Sequence, residues 1–141
     1  MLAILTATLL ALPAADTHHE QFGHSGGRVD VTYRGVLAPE LRQVGAASAP
    51  GRPATLHCRW QARVIVERTA QHSAGHIATR RIAAPALASG QRPGWCDVQA
   101  AAIGNEVAAA GTRMRAHLIA VAARDRGVLV AELEQARGRN S

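Results

Sequence analysis

The sequence predicts an α+β domain: an antiparallel sheet of three or four strands packed in two layers against one long helix in the C-terminal half, with one disulfide. Three observations predict it. Between Ala54 and Thr69 apolar and polar residues alternate at every second position. From Asp97 to about Arg126 an Ala-rich, Pro-free stretch places its larger apolar residues at helical spacing. The chain also has two cysteines, Cys58 and Cys96. Its 141 residues suit one domain, and the large apolar side chains are scarce: of a 48% hydrophobic fraction, 30 residues are Ala. So thin a core calls for a crosslink or a partner.

The chain opens on Met1 to Pro13, MLAILTATLLALP, an uncharged apolar run followed by Ala14-Ala15-Asp16. It reads as a signal peptide over 1–15, too short to span a bilayer, and no later segment is apolar enough for a transmembrane span. The expected compartment is therefore the periplasm or the exterior. Cysteines pair in an oxidising compartment, so Cys58 and Cys96 are expected to form the disulfide. Closing that loop contributes about 4 kcal/mol in the chain-entropy model.

Residues 16–27, DTHHEQFGHSGG, are polar, His-rich and Gly-rich, and read as a flexible lead-in to a single domain over 28–137 with a short tail at 138–141. A first strand is expected from Arg28 to Leu37, with Val29, Val31, Tyr33 and Leu37 on one face. Val44 to Pro53 is a loop. The strand of Ala54 to Thr69 buries Leu56, Cys58, Trp60, Ala62, Val64 and Val66, and turns at Gln71 to Gly75 into a returning strand, Ile77 to Ile82. Ala83 to Gly94, with two Pro and two Gly, reads as a connection. Asp97 is the expected helix N-cap, and Ile103, Val107, Ala110, Met114, Leu118 and Val121 form the core stripe. Gly104 and Gly111 are read as points of close approach to the sheet, and Gly127 as the stop. Val128 to Glu134 (VLVAELE) is expected to be a final strand. Trp60 and Trp95 are expected to pack around the disulfide.

The net charge of +6 comes from 16 Arg with no Lys, in a chain where Ala, Gly, Arg and Pro dominate. Composition bias accounts for much of it, so the basicity alone does not imply nucleic acid, and four aromatics offer few stacking platforms for one. The polar face of the long strand, His57, Arg59, Gln61 and Arg63, joined by Arg80 and Arg81 of the returning strand, makes a basic sheet face suited to an anionic envelope component. A homodimer is also compatible with the thin core.

Gly23-His24-Ser25-Gly26-Gly27 matches G-x-S-x-G, but it lacks the preceding strand, the following helix and the large sheet that a nucleophile elbow needs. If cleavage follows Ala15, the mature chain begins Asp16-Thr17-His18, which resembles the amino-terminal copper and nickel motif of serum albumins. That resemblance implies a square-planar nitrogen set for copper or nickel. His72 and His76 flank a turn, with His57 as a conceivable third ligand; exposed hairpin histidines are the simpler reading. His117 reads as a buried neutral histidine bonded to a carbonyl. No catalytic residues are suggested by spacing. The expected function is a small exported domain that binds, or associates structurally with, a protein or an anionic envelope component. Copper or nickel handling at Asp16-Thr17-His18 is the alternative, and an enzyme site assembled only in the fold is the third reading.

Overall fold

The computed structural model describes residues 15–139; the expected signal peptide lies outside the described residues except for Ala15. Four strands, β1 (Ala15–His24), β2 (Gly27–Val44), β3 (His57–His72) and β4 (Ile77–Pro93), precede α1 (Cys96–Ala110), one 3-10 turn (Gly111–Arg113) and α2 (Met114–Arg139). The strands form one antiparallel sheet in sequence order, β1-β2-β3-β4, and both helices pack on one of its faces. This is the two-layer α+β arrangement expected of the sequence, closed by a Cys58–Cys96 disulfide with Cα atoms 4.9 Å apart.

Alternation in β3 sets the layers. Cys58, Trp60, Ala62, Val64, Val66 and Ala70 are buried beneath the helices, while Arg59, Arg63, Glu67 and Thr69 are exposed on the opposite face. From the helical side, Ile103, Val107, Ala110, Met114, Leu118 and Val121 meet them, as the helical spacing implies.

Several elements differ from their sequence reading. Residues 16–27 are no lead-in: Ala15–His24 is an edge strand, paired with β2 from Ala15 opposite Val36 to His24 opposite Gly27. Its inward row, Asp16, His18, Glu20, Phe22 and His24, contains one apolar residue, so hydrophobic periodicity could not reveal it. The ladder with β2 holds it, and its polar row meets cations: Arg115 pairs with Asp16 at 3.2 Å and Arg126 with Glu20 at 3.1 Å. The Arg126 guanidinium also lies 3.9 Å from the centre of the Phe22 ring. Ser25 (φ 51°) and Gly26 (φ 75°) make the hairpin turn, two successive left-handed residues as a two-residue hairpin requires.

Ala83–Pro93 is not a connection but the second half of β4, which absorbs Pro85 at a bulge where the register shifts between Arg63 and Ile65 of its neighbour. β2 likewise continues past Leu37 to Val44. The helix begins two residues early, with Trp95 as N-cap in place of Asp97, which lies in the first turn, where its charge suits the helix dipole. Val128 to Glu134 is helix, not strand. Asp125, Leu129 and Leu133 fall four residues apart on the buried side of α2, and Gly127, exposed and without positive φ, costs propensity but does not stop the helix. Gly138 and Arg139, expected in the tail, complete α2. Nor does Gly104 mark a close approach, since a Cβ there would meet nothing within 4 Å. The close approach is at Gly35, where a Cβ would lie 2.8 Å from Leu118 Cδ2 and 3.1 Å from Met114 Sδ. Among the described residues no helix is long and apolar enough to cross a membrane.

Candidate functional site

The two sheet faces do different work. On the helix side, Arg68 is fully buried at the point where β3 meets α2. Its Nε donates to Asp125 Oδ2 at 2.8 Å and its Nη1 to Glu132 Oε2 at 2.9 Å, while the Tyr33 hydroxyl donates to Asp125 Oδ2 at 3.0 Å. Burial works against the charge on Arg68, but the two carboxylates outweigh it and push its pKa up; burial and the Asp125 charge push the Tyr33 hydroxyl up too. Arg80 completes this cluster, its guanidinium 3.7 Å from Asp125 and 3.9 Å from Glu132. Arg80 thus belongs to the helix side and not to the basic face expected of it, because it is the register partner of inward-facing Arg68. Each buried charge here is spent on joining the layers.

Among the described residues the other face carries no helix. Register sets its side chains in rows across the strands: Arg34, Glu67 and Arg81; Ala38, Arg63 and Ala86; Glu40, Gln61 and Ser89; Arg42, Arg59 and Gln91; Val44, His57 and Pro93. Four expected residues, His57, Arg59, Arg63 and Arg81, are therefore on one face. The His57 ring is tied locally, its Nδ1 2.8 Å from the Thr55 carbonyl. Glu40 neutralises Arg63 at 3.6 Å and accepts from Gln61 Nε2 at 2.9 Å. Arg34, Arg42, Arg59 and Arg81 make no ion pair among the described residues. Arg42 and Arg59 are direct cross-strand partners, an arrangement of like charges that destabilises a sheet unless something anionic lies between them.

A groove of about 690 Å³ opens here, lined by Glu40, Leu41, Arg42, Arg59, Trp60, Gln61, Ser89, Gly90 and Gln91. Every lining residue belongs to the sheet and none to a helix, which puts the groove on the open face. The row Glu40-Gln61-Ser89 forms one wall and the row Arg42-Arg59-Gln91 the other, with the backbone of Leu41, Trp60 and Gly90 as floor. The Trp60 ring lies on the far side of that floor, over Gly90, where a Cβ would come 2.9 Å from its Nε1. Sequence reading missed Glu40, Arg42, Ser89 and Gln91, because it ended β2 at Leu37 and treated Ala83–Gly94 as a connection. The one signal was Leu41 between Glu40 and Arg42, too short a pattern beside Pro39 to mark a strand.

The disulfide stands at one end of this site, where Gln43 clasps the same junction. Its Nε2 donates to the His57 and Gly94 carbonyls at 3.0 and 3.1 Å, and its Oε1 accepts from the Cys96 amide at 2.7 Å. Trp60 is buried beside Cys58, but Trp95 is 55% exposed and not part of the packing expected for it, since it precedes α1 rather than facing the sheet.

The three histidines His57, His72 and His76 do not come together. His57 stands at the opposite end of β3 from His72, so it cannot join His72 and His76; His24 of the neighbouring hairpin does instead, with ring centres 6.4 Å (His24 to His72) and 6.1 Å (His72 to His76) apart. The Ala74 amide donates to His72 Nδ1 at 3.0 Å, so the ring proton is on Nε2, 2.8 Å from the His24 carbonyl. Both nitrogens of His72 are thereby engaged as a hairpin strut. Asp16-Thr17-His18 is extended in β1. Asp16 Oδ1 accepts from the Thr17 amide at 2.8 Å and His18 Nε2 faces Glu20 at 3.1 Å. Wrapping its amides round copper would lift these residues off β2. Among the described residues no three His, Cys, Asp or Glu stand close enough to hold a metal ion. His117 Nε2 is buried without a partner among the described residues, not bonded to a carbonyl as expected, and burial together with the nearby Arg124 charge lowers its pKa. Ser25 of the G-x-S-x-G match is a turn residue whose hydroxyl accepts from Arg137 at 3.1 Å. Searches of family models, of curated proteins and of solved structures find no match to this chain.

Proposed function

We propose that this protein is an exported binding domain, acting without catalysis, that holds an anionic component of the cell envelope against the open face of its sheet. One observation carries the reading: Arg42 and Arg59 stand side by side across β2 and β3, without a carboxylate partner among the described residues, at the wall of an open groove. A bound anion would remove their mutual repulsion, and a bidentate guanidinium pair is the usual receptor for carboxylate, sulfate or phosphate. The paired cysteines and the apolar Met1 to Pro13 run support an envelope location.

Retention of the mature protein on immobilised polyacrylate, a plain polyanion, tests this. The wild-type protein is expected to be held at low salt and released by salt, as surface charge contacts are screened. Arg42→Glu with Arg59→Glu is expected to elute at well under half the salt concentration. Arg113→Glu with Arg139→Glu makes the same charge change on exposed helical arginines and is expected to shift elution less. Equal shifts from the two pairs would show that net charge, not this face, governs retention.

A further inference from the structure

The groove has two chemically different walls, and we infer that its ligand is an acidic sugar of a polysaccharide, a pyranose bearing a carboxylate, bound across the strands. This deepens the anion-binding reading and rests on it. The row Arg42-Arg59-Gln91 presents two guanidinium groups and an amide. The row Glu40-Gln61-Ser89 presents a carboxylate, an amide and a hydroxyl. Glu40 is already oriented by Gln61 Nε2 at 2.9 Å and by Arg63 at 3.6 Å, which leaves the Gln61 carbonyl and the Ser89 hydroxyl to exchange hydrogen bonds with a ligand. A simple anion has no use for that second wall, and Glu40 repels it. A molecule with an acid at one end and hydroxyls at the other uses both.

The dimensions agree. The walls are two residues apart along each strand, about 7 Å at roughly 3.4 Å per residue, comparable to the span of a pyranose from its carboxylate to the hydroxyls opposite. Three strands about 4.8 Å apart give the groove its length. Its volume of about 690 Å³ falls within the usual range for small-molecule sites, about 300–1,000 Å³. Other anions of the envelope fit less well. A lipid surface calls for apolar side chains among the cations, and the open face has one large exposed apolar residue among those described, Ile77 at 65% exposure, beside the far turn. Single-stranded nucleic acid calls for stacking platforms; Phe22, Tyr33 and Trp60 belong to the helix side, and the exposed Trp95 does not line the groove. With no aromatic ring on the groove's walls among the described residues, a single sugar is held weakly, and a polymer gains from repeated engagement.

Calorimetry with oligogalacturonate and with polyacrylate of matched charge separates the two levels of the argument. Oligogalacturonate is expected to bind at least tenfold more tightly. Gln61→Leu with Ser89→Val strips the hydroxyl-binding wall and leaves both arginines. It is expected to abolish that advantage while both arginines still hold polyacrylate above the level of Arg42→Glu with Arg59→Glu; Ser89→Val alone serves if the pair fails to fold. Equal binding of the two polymers, or an advantage that survives these changes, would overturn the sugar assignment and leave the anion site standing. Binding of neither polymer above the level of Arg42→Glu with Arg59→Glu would overturn both.

Discussion

At the scale of single residues, the most consequential side chain is one that ordinary burial rules exclude from a core. Arg68 continues the inward row of β3, and with no exposure its charge is tolerable only because Asp125 and Glu132 face it and Tyr33 completes the Asp125 shell. Removing one partner strands the other. Asp125→Ala is therefore expected to lower the unfolding free energy by about 3–5 kcal/mol, as for other broken buried pairs. Urea denaturation would measure it, and a loss below 1 kcal/mol would mean that the pair contributes no more than a surface contact. His117 contributes a pH dependence just below neutrality. Its folded pKa is lowered by burial and by Arg124, so between the folded and unfolded values the unfolded chain binds more protons. Stability from this group is then full above the ordinary histidine range, about 6.5, and is lost as pH falls toward the depressed folded value. His117→Gln is expected to flatten the rise in urea midpoint between pH 5 and 7; an unchanged slope would assign the dependence elsewhere.

At the scale of elements, two glycines make opposite predictions. Gly35 lies in β2 under α2, and a methyl there would enter the space of Leu118 and Met114. Gly35→Ala is expected to destabilise by about 1–3 kcal/mol, as overpacking does. Gly104 lies in α1 with open space around it, and Gly104→Ala is expected to stabilise by about 1 kcal/mol through helix propensity. Melting temperatures moving in opposite directions would verify the packing of both helices at once. These glycines also show what a sequence can reveal. The stripe from Ile103 to Val121 and the alternation from Cys58 to Val66 were legible, because apolar burial imposes their spacing. β1 was not, since its inward side chains are mostly polar and meet Arg115 and Arg126, about a hundred residues away in the chain. The helix over Val128 to Glu134 was hidden by β-branched residues that lie outside its buried side. One of the groove's three strands was legible, as alternating Arg59 and Gln61; the other two needed β2 and β4 to be long enough to flank it.

At the scale of the whole molecule, the question is how a chain with so few large apolar residues stays folded. The sheet and helices meet along a strip dominated by Val, Ala and single Leu or Ile side chains, and burial of that strip alone is modest. The disulfide acts on the other side of the balance. Cys58 and Cys96 are separated by 38 residues, and tethering them removes unfolded conformations worth about 4 kcal/mol. Net stabilities of domains this size are about 5–15 kcal/mol, so the bridge is comparable to the remainder. The Gln43 clasp acts at the same junction but adds only neutral hydrogen bonds, and it does not constrain the unfolded chain. Cys58→Ala with Cys96→Ala, which leaves no buried thiol to confuse the comparison, is therefore expected to lower unfolding free energy by about 4 kcal/mol. Because the bridge joins the start of β3 to the start of α1, the same variant should weaken polyanion retention, as that end of the sheet carries Arg42 and Arg59. Retention unchanged at a temperature where the variant is still folded would show that the groove is held by the strand ladders alone.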